Sequence, residues 1–239
     1  MGTFRFKKFE VVNERSAMKV NTDGVLLGAA MTIMPSDRTM LDIGTGTGTI
    51  ALMAAQRSER DMDIRAIDID EASATEAAAN FRNSPWGDSL EAFHMSLDEY
   101  EGTLDGQEYD LIFSNPPYFE DSLKAPEERR NNARHTSTGL SYREILDFAS
   151  RHLSAQGRVS FVLPSETESP LCRHARMDGL HLMRILRVRT VPHKAPSRII
   201  AEFSRTRTDS PVEEELIIQE KGKYTEQYLS LMNGFYLFA

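Results

Sequence analysis

Apolar residues along the chain follow two spacings. Short continuous or alternating runs fall at residues 39–43, 64–68, 90–94, 109–114 and 158–163. Their length and their flanking turn residues are those of strands in a buried sheet. Between them, apolar residues return every three or four positions at 50–57, 71–83, 142–153 and 166–177. That spacing predicts helices. A short strand is expected at 9–12 and a helix at 24–34, capped by Thr22 or Asp23 and ended by Pro35. The helix has a broad apolar stripe (Val25, Leu26, Leu27, Ala29, Ala30, Ile33), suited to packing on a sheet.

Strand–helix alternation predicts a doubly wound, mainly parallel α/β sheet with helices on both faces. Residues 180–191 and 198–203 have no helix between them and read as an antiparallel hairpin at one edge. A last strand is expected at 212–219 and a terminal helix at 225–232. The polar stretch 119–139 is too long for a plain connector and reads as a functional loop. No composition break divides the chain. One domain is expected over 1–239: an arm and capping helix to 38, a core over 39–205, and a C-terminal strand and helix over 206–239.

Composition narrows the setting. The 239 residues suffice for a well-developed core, and the apolar runs are far short of a membrane span. The first residues lack the apolar core of a signal peptide. Cys172 is the single cysteine, which excludes an intrachain disulfide and any cysteine-cluster metal site. A cytoplasmic monomer is expected, with no metal and no membrane partner. The net charge of −8 argues against bulk affinity for nucleic acid, but residues 173–207 carry nine Lys/Arg and two acids. Such a basic segment can hold a phosphate backbone locally, although on charge alone a solvated face is the favoured reading.

Two motifs carry the chemistry. Leu41-Asp42-Ile43-Gly44-Thr45-Gly46-Thr47-Gly48 reads as a buried strand, a glycine-rich turn and a helix start, which together make a cradle for a nucleotide-type cofactor. Asp68 ends the next strand, where an acid would bond ribose hydroxyls. NAD and S-adenosylmethionine both fit to this point. Asn115-Pro116-Pro117-Tyr118 favours the second. It follows a strand, so it sits at the carboxyl edge where open α/β sheets bind ligands. Its prolines make a rigid turn. Asn115 and Pro116 offer carbonyl acceptors, and Tyr118 a flat face for a base. Acceptors that hold the N–H groups of a ring-conjugated amine out of plane restore its lone pair and aim it at a methyl donor. His135 and His193 read as ordinary loop histidines.

With these motifs the chain resembles class I S-adenosylmethionine-dependent methyltransferases, and more closely the tRNA1(Val) (adenine-37-N6)-methyltransferase family. Four blocks carry the likeness: 22–28, 41–48, 115–119, and 224–225 with 235–237. The resemblance implies a Rossmann-like fold and methylation of the 6-amino group of adenosine 37 in valine tRNA. By it, Asn115 and Pro116 hold the amine and Tyr118 stacks on a flipped base. Gly44, Thr45, Gly46 and Gly48 line the methionine part of S-adenosylmethionine, with Asp42 near its amino group and Thr22 and Asp23 flanking its end. Asp68 bonds the ribose. Ser96 and Leu97 occupy the place of the adenine contact, with Asp98 as the other candidate. Given a tRNA substrate, Arg184, Arg187, Arg189, Lys194 and Arg198 become candidate phosphate contacts. The rivals are a methyltransferase of rRNA, one of protein glutamine, and a non-catalytic RNA-binding module.

Overall fold

The structure, a computed structural model, describes residues 2–16, 18–58, 61–117 and 140–238. A small hairpin of β1 (Thr3–Arg5) and β2 (Glu10–Val12) leads into helix α1 (Thr22–Ala30). The alternating part follows as β3 (Thr39–Ile43), α2 (Thr49–Arg57), β4 (Asp63–Asp68), α3 (Glu71–Arg82), β5 (Leu90–His94), α4 (Leu97–Glu101) and β6 (Tyr109–Ser114). Then come α5 (Tyr142–His152), β7 (Leu153–Pro164), α6 (Glu168–Met177), β8 (His181–Arg189), β9 (Arg198–Ser204) and β10 (Val212–Ile217). The described chain closes with the two-residue strands β11 (Gln219–Glu220) and β12 (Lys223–Tyr224) and helix α7 (Glu226–Met232).

Among the described residues, eight strands form the central sheet in the order β10-β8-β9-β7-β6-β3-β4-β5. Of these eight, β9 alone runs against its neighbours, antiparallel to both β7 and β8. The expected hairpin is therefore present, but β10 pairs in parallel outside it and forms the edge. The short helix α4 and strand β1 escaped the periodicity because each is too brief to show a repeat.

Period-two alternation sends successive strand residues to opposite faces. Met40, Ile64, Leu111 and Phe113 join a core with α1, α2 and α3. Leu41, Ile67, Ile112 and Phe161 join another with α5 and α6. Leu111, Ile112 and Phe113 are fully buried, each side chain stabilising the fold by about 1.5–3 kcal/mol. A buried polar hub locks α1 to the sheet. Arg158 of β7 pairs with Asp37 and donates to the Thr32 carbonyl, while Glu202 of β9 accepts the Thr32 N–H at 2.9 Å.

Strand order places the site. From β3 the chain winds one way through β4 and β5, then crosses to the other side of β3 for β6 and β7. The switch point is the gap between β3 and β6, where loops diverge and a ligand can enter. Asp42 lies opposite Phe113, so Gly44 and Asn115 leave adjacent strand ends. The Ser114 hydroxyl donates to the Ile43 carbonyl at 2.6 Å and ties those ends together.

Candidate functional site

The turn after β3 needs its glycines. Gly44, Gly46 and Gly48 have φ of 73°, 56° and 79°, a region that side chains with a Cβ rarely adopt. Gly48 has a second reason: a Cβ there would stand 2.5 Å from Phe81 of α3. The turn is folded on its own N–H groups. Those of Gly44 and Thr45 donate to the Ile67 carbonyl, that of Gly46 to Asp68 Oδ2 at 2.8 Å, and that of Gly48 to the Thr45 carbonyl. These four donors are taken within the fold.

Acidic acceptors lie beside the turn. Asp42 is fully buried; the Thr45 hydroxyl donates to its Oδ2 at 2.7 Å, and its Oδ1 makes no hydrogen bond among the described residues. Burial pushes the Asp42 carboxyl up to about 7; the Thr45 hydroxyl opposes this and the charge of Asp68 adds to it. Asp68 is also raised by burial, although the Asp70 and Gly46 N–H groups pull it down. Two carboxylates, one with an orphaned oxygen, suit a cationic ligand such as an amino-acid ammonium or a sulfonium.

One recess gathers Met18, Lys19, Val20, Asn21, Gly24, the turn from Gly44 to Thr47, Thr49, Ile50 and Asn115. The structure thus brings Asn115 to the glycine turn, 71 residues away in sequence, as the switch-point topology requires. Pro116 is buried and Pro117 exposed. Tyr118, the 119–139 loop and His135 lie outside the described residues.

Other expected contacts are placed differently. Asn21, rather than Thr22 or Asp23, caps α1 by accepting the Gly24 N–H at 2.9 Å. Asp23 Oδ2 accepts from Arg198 Nε at 2.8 Å, so the two join one ion pair at the carboxyl edge. Ser96 caps α4 in a reciprocal capping box with Glu99, and Leu97 is buried in the core. The hydroxyl expected near an adenine therefore holds a helix start. Ile69 stands beside Asp68 at 72% exposure, an apolar face that sequence reading passed over.

The basic face also needs correction. Arg184 bonds Glu214 at 2.6 Å and Glu202 at 2.9 Å. Arg187 bonds Glu168 at 2.6 Å and Glu213 at 2.7 Å, and both carboxylates push its guanidinium up from the ordinary value. Arg189 pairs with Glu215. The partner acids belong largely to β10, which lies parallel to β8. A charge count over 173–207 could not see acids delivered by strand pairing from 213–215. Lys194 remains exposed on the β8–β9 turn at the carboxyl edge.

Among the described residues, no cluster of three His, Cys, Asp or Glu side chains can hold a metal, and no helix is long and apolar enough to cross a membrane.

The fold and the two joined motifs define a methyltransferase, and comparison agrees. Residues 16–173 match the methyltransferase small domain. In the solved structure of a protein described as a predicted O-methyltransferase of Agrobacterium tumefaciens, the same fold recurs with TM-score 0.63 at 17% identity, covering 88% of this chain and 95% of that one. A methyltransferase of Pyrococcus furiosus superposes with TM-score 0.57 at 19% identity, covering 82% and 89%. At the sequence level, the tRNA1(Val) (adenine(37)-N6)-methyltransferase of Parabacteroides distasonis is 42% identical, over 98% of this chain and 97% of its own length. That of Actinobacillus succinogenes is 38% identical, with 98% and 97% coverage. The chain belongs to the tRNA1(Val) (adenine(37)-N6)-methyltransferase family.

Proposed function

We propose that the protein methylates the 6-amino group of adenosine 37 in valine tRNA, in the cytoplasm and as a monomer, with S-adenosylmethionine as the methyl donor. The observation that carries this reading is the meeting of Asn115 with the glycine turn in one recess; Thr45 in its wall donates to Asp42, a buried acid whose other carboxylate oxygen has no partner among the described residues.

Bound there, S-adenosylmethionine supplies a methyl group made electrophilic by a cationic sulfur. Asp42 receives its ammonium group, Asp68 its ribose hydroxyls, and the turn from Gly44 to Gly48 follows its methionine portion, with Thr22 and Asp23 at the far end. Ile69 offers an apolar face to the adenine. The side-chain oxygen of Asn115 and the main-chain carbonyl of Pro116 accept the two N–H bonds of the target amine, and Pro117 stiffens the turn that aims them. Held so, the nitrogen lone pair leaves conjugation with the ring and points at the methyl carbon. The donor would supply a methyl group whose bonding pair stays on sulfur, and the amine lone pair held by Asn115 and Pro116 would take it. The amine proton then leaves to water, so no strong base is needed. Tyr118 is assigned the face of the flipped base by family likeness. Lys194, exposed on the β8–β9 turn at the carboxyl edge, is the position best placed to meet RNA phosphates.

In the test, purified protein is incubated with labelled donor and a valine tRNA transcript, beside a transcript with guanosine at position 37. Label in the first and not the second supports the proposal. Equal label in both refutes the position, and a labelled protein with unlabelled tRNA favours the glutamine rival.

A further inference from the structure

Helix α3 carries a buried polar stripe that methyl transfer does not explain. Ser73, Glu76 and Asn80 are 2%, 4% and 2% exposed, and their spacing sets them on one helix face. That face grips the N-terminal segment. Glu76 Oε1 accepts the Glu14 and Arg15 N–H groups at 2.7 and 2.9 Å, and Oε2 accepts that of Ser16 at 2.9 Å. Asn80 Oδ1 accepts the Val12 N–H at 2.8 Å, while its Nδ2 donates to the Val12 and Thr47 carbonyls at 3.0 and 2.9 Å. Ser73 Oγ lies 2.9 Å from Ser16 Oγ, which donates to the Met18 carbonyl at 3.0 Å.

The two ends of this network are the two walls of the recess. Thr47 belongs to the glycine turn, and the segment fastened at Val12–Ser16 runs on to Met18–Asn21, which faces that turn. Ser16 Oγ and the Met18 carbonyl each come within 3.6 Å of where a Cβ on Gly46 would stand. Burial alone would push the Glu76 carboxyl up, yet its three backbone partners hold it below the usual carboxylate range, so it stays an anion facing those N–H groups.

We propose that Glu76 and Asn80 are positioning residues for the methyl donor: they fasten residues 12–16 so that 18–21 close one wall of its site. The inference rests on the reading of the recess as the donor site. It separates two quantities. Donor retention depends on the fastened wall, whereas chemistry on bound donor depends on Asn115 and Pro116 at the opposite side.

The full chain is compared as wild type, Glu76→Ala, Glu76→Gln and Asn80→Ala. The readouts are donor Kd by calorimetry, donor KM and kcat on tRNA, and the rate of trypsin cleavage at Arg15 and Lys19, which are both exposed. For Glu76→Ala the expected result is a donor Kd and KM raised at least tenfold, kcat at saturating donor within threefold of wild type, and faster cleavage that the donor slows less. Glu76→Gln falls between, since its single oxygen serves two of the three N–H groups. If Glu76→Ala does not fold, Glu76→Gln is judged by the same criteria. Unchanged Kd and KM in variants of a wild type that binds donor overturn the positioning role, as does a loss of thermal stability without the KM-against-kcat split. A wild type that binds no donor overturns the reading of the recess itself.

Discussion

Asp42→Asn tests the electrostatics of the site without changing its shape. A carboxyl raised from 3.8 to about 7 binds more protons in the folded than in the unfolded chain across that interval. Donor-free stability therefore falls as pH rises from about 4 to about 7. Three pKa units correspond to about 4 kcal/mol of destabilisation at pH 8, with more than half of it gained between pH 5 and pH 8. Asparagine removes the charge and keeps an oxygen for the Thr45 hydroxyl. It leaves an unpartnered N–H where Oδ1 stood, which costs about 1–3 kcal/mol. The donor-free variant should thus be more stable than wild type by about 1–3 kcal/mol at pH 8, with a flatter stability profile between pH 5 and pH 8. Urea denaturation without donor at four pH values measures this. Donor affinity should move the other way. The variant should bind at least tenfold more weakly, and wild-type affinity should rise from pH 6 to pH 8 while that of the variant stays level. Parallel stability profiles, or a variant destabilised at pH 8, would refute the burial argument. Equal donor affinity would refute the ammonium assignment.

Asn115→Ala should lower kcat by about 10²-fold or more while donor Kd changes less than threefold, since it removes an acceptor that acts on the amine alone; single-turnover label transfer with calorimetry decides it. Gly48→Ala should lower stability by about 2–4 kcal/mol, because the left-handed backbone and the Phe81 ring both oppose a Cβ; denaturation midpoints read it, and an unchanged midpoint contradicts the packing. Lys194→Glu should weaken tRNA binding and reduce the salt slope by about one, with melting unchanged. Arg187→Glu, which sets like charges against Glu168 and Glu213, should instead lower the melting temperature by several degrees and leave the slope in place.

The parts of the fold that were legible rest on local periodicity. Strands such as 109–114 and helices such as 142–153 bury whole faces, and their patterns say so. The glycine turn and Asn115 were legible as separate motifs, and their meeting followed once strand order placed β3 beside β6. Contacts made by long-range pairing were not legible. Arg184, Arg187 and Arg189 looked like a basic face because Glu213, Glu214 and Glu215 arrive from a strand some thirty residues later. Ser96-Leu97-Asp98-Glu99 also spells a capping box, and in the fold Ser96 and Glu99 bond each other at the start of α4. Glu76 and Asn80 were hidden in an alanine-rich helix, since one sequence does not tell a solvated glutamate from one that holds a distant backbone segment.

If the recess between Gly44 and Asn115 delivers a methyl group to one tRNA nitrogen, the mark is found at position 37 of valine tRNA. Mass spectrometry of nuclease fragments of valine tRNA, from cells with and without this gene, tests it most directly. The expected result is N6-methyladenosine at position 37 in the first and unmodified adenosine in the second. An unchanged nucleoside at position 37 in both, or a methyl group lost from some other position, would contradict it.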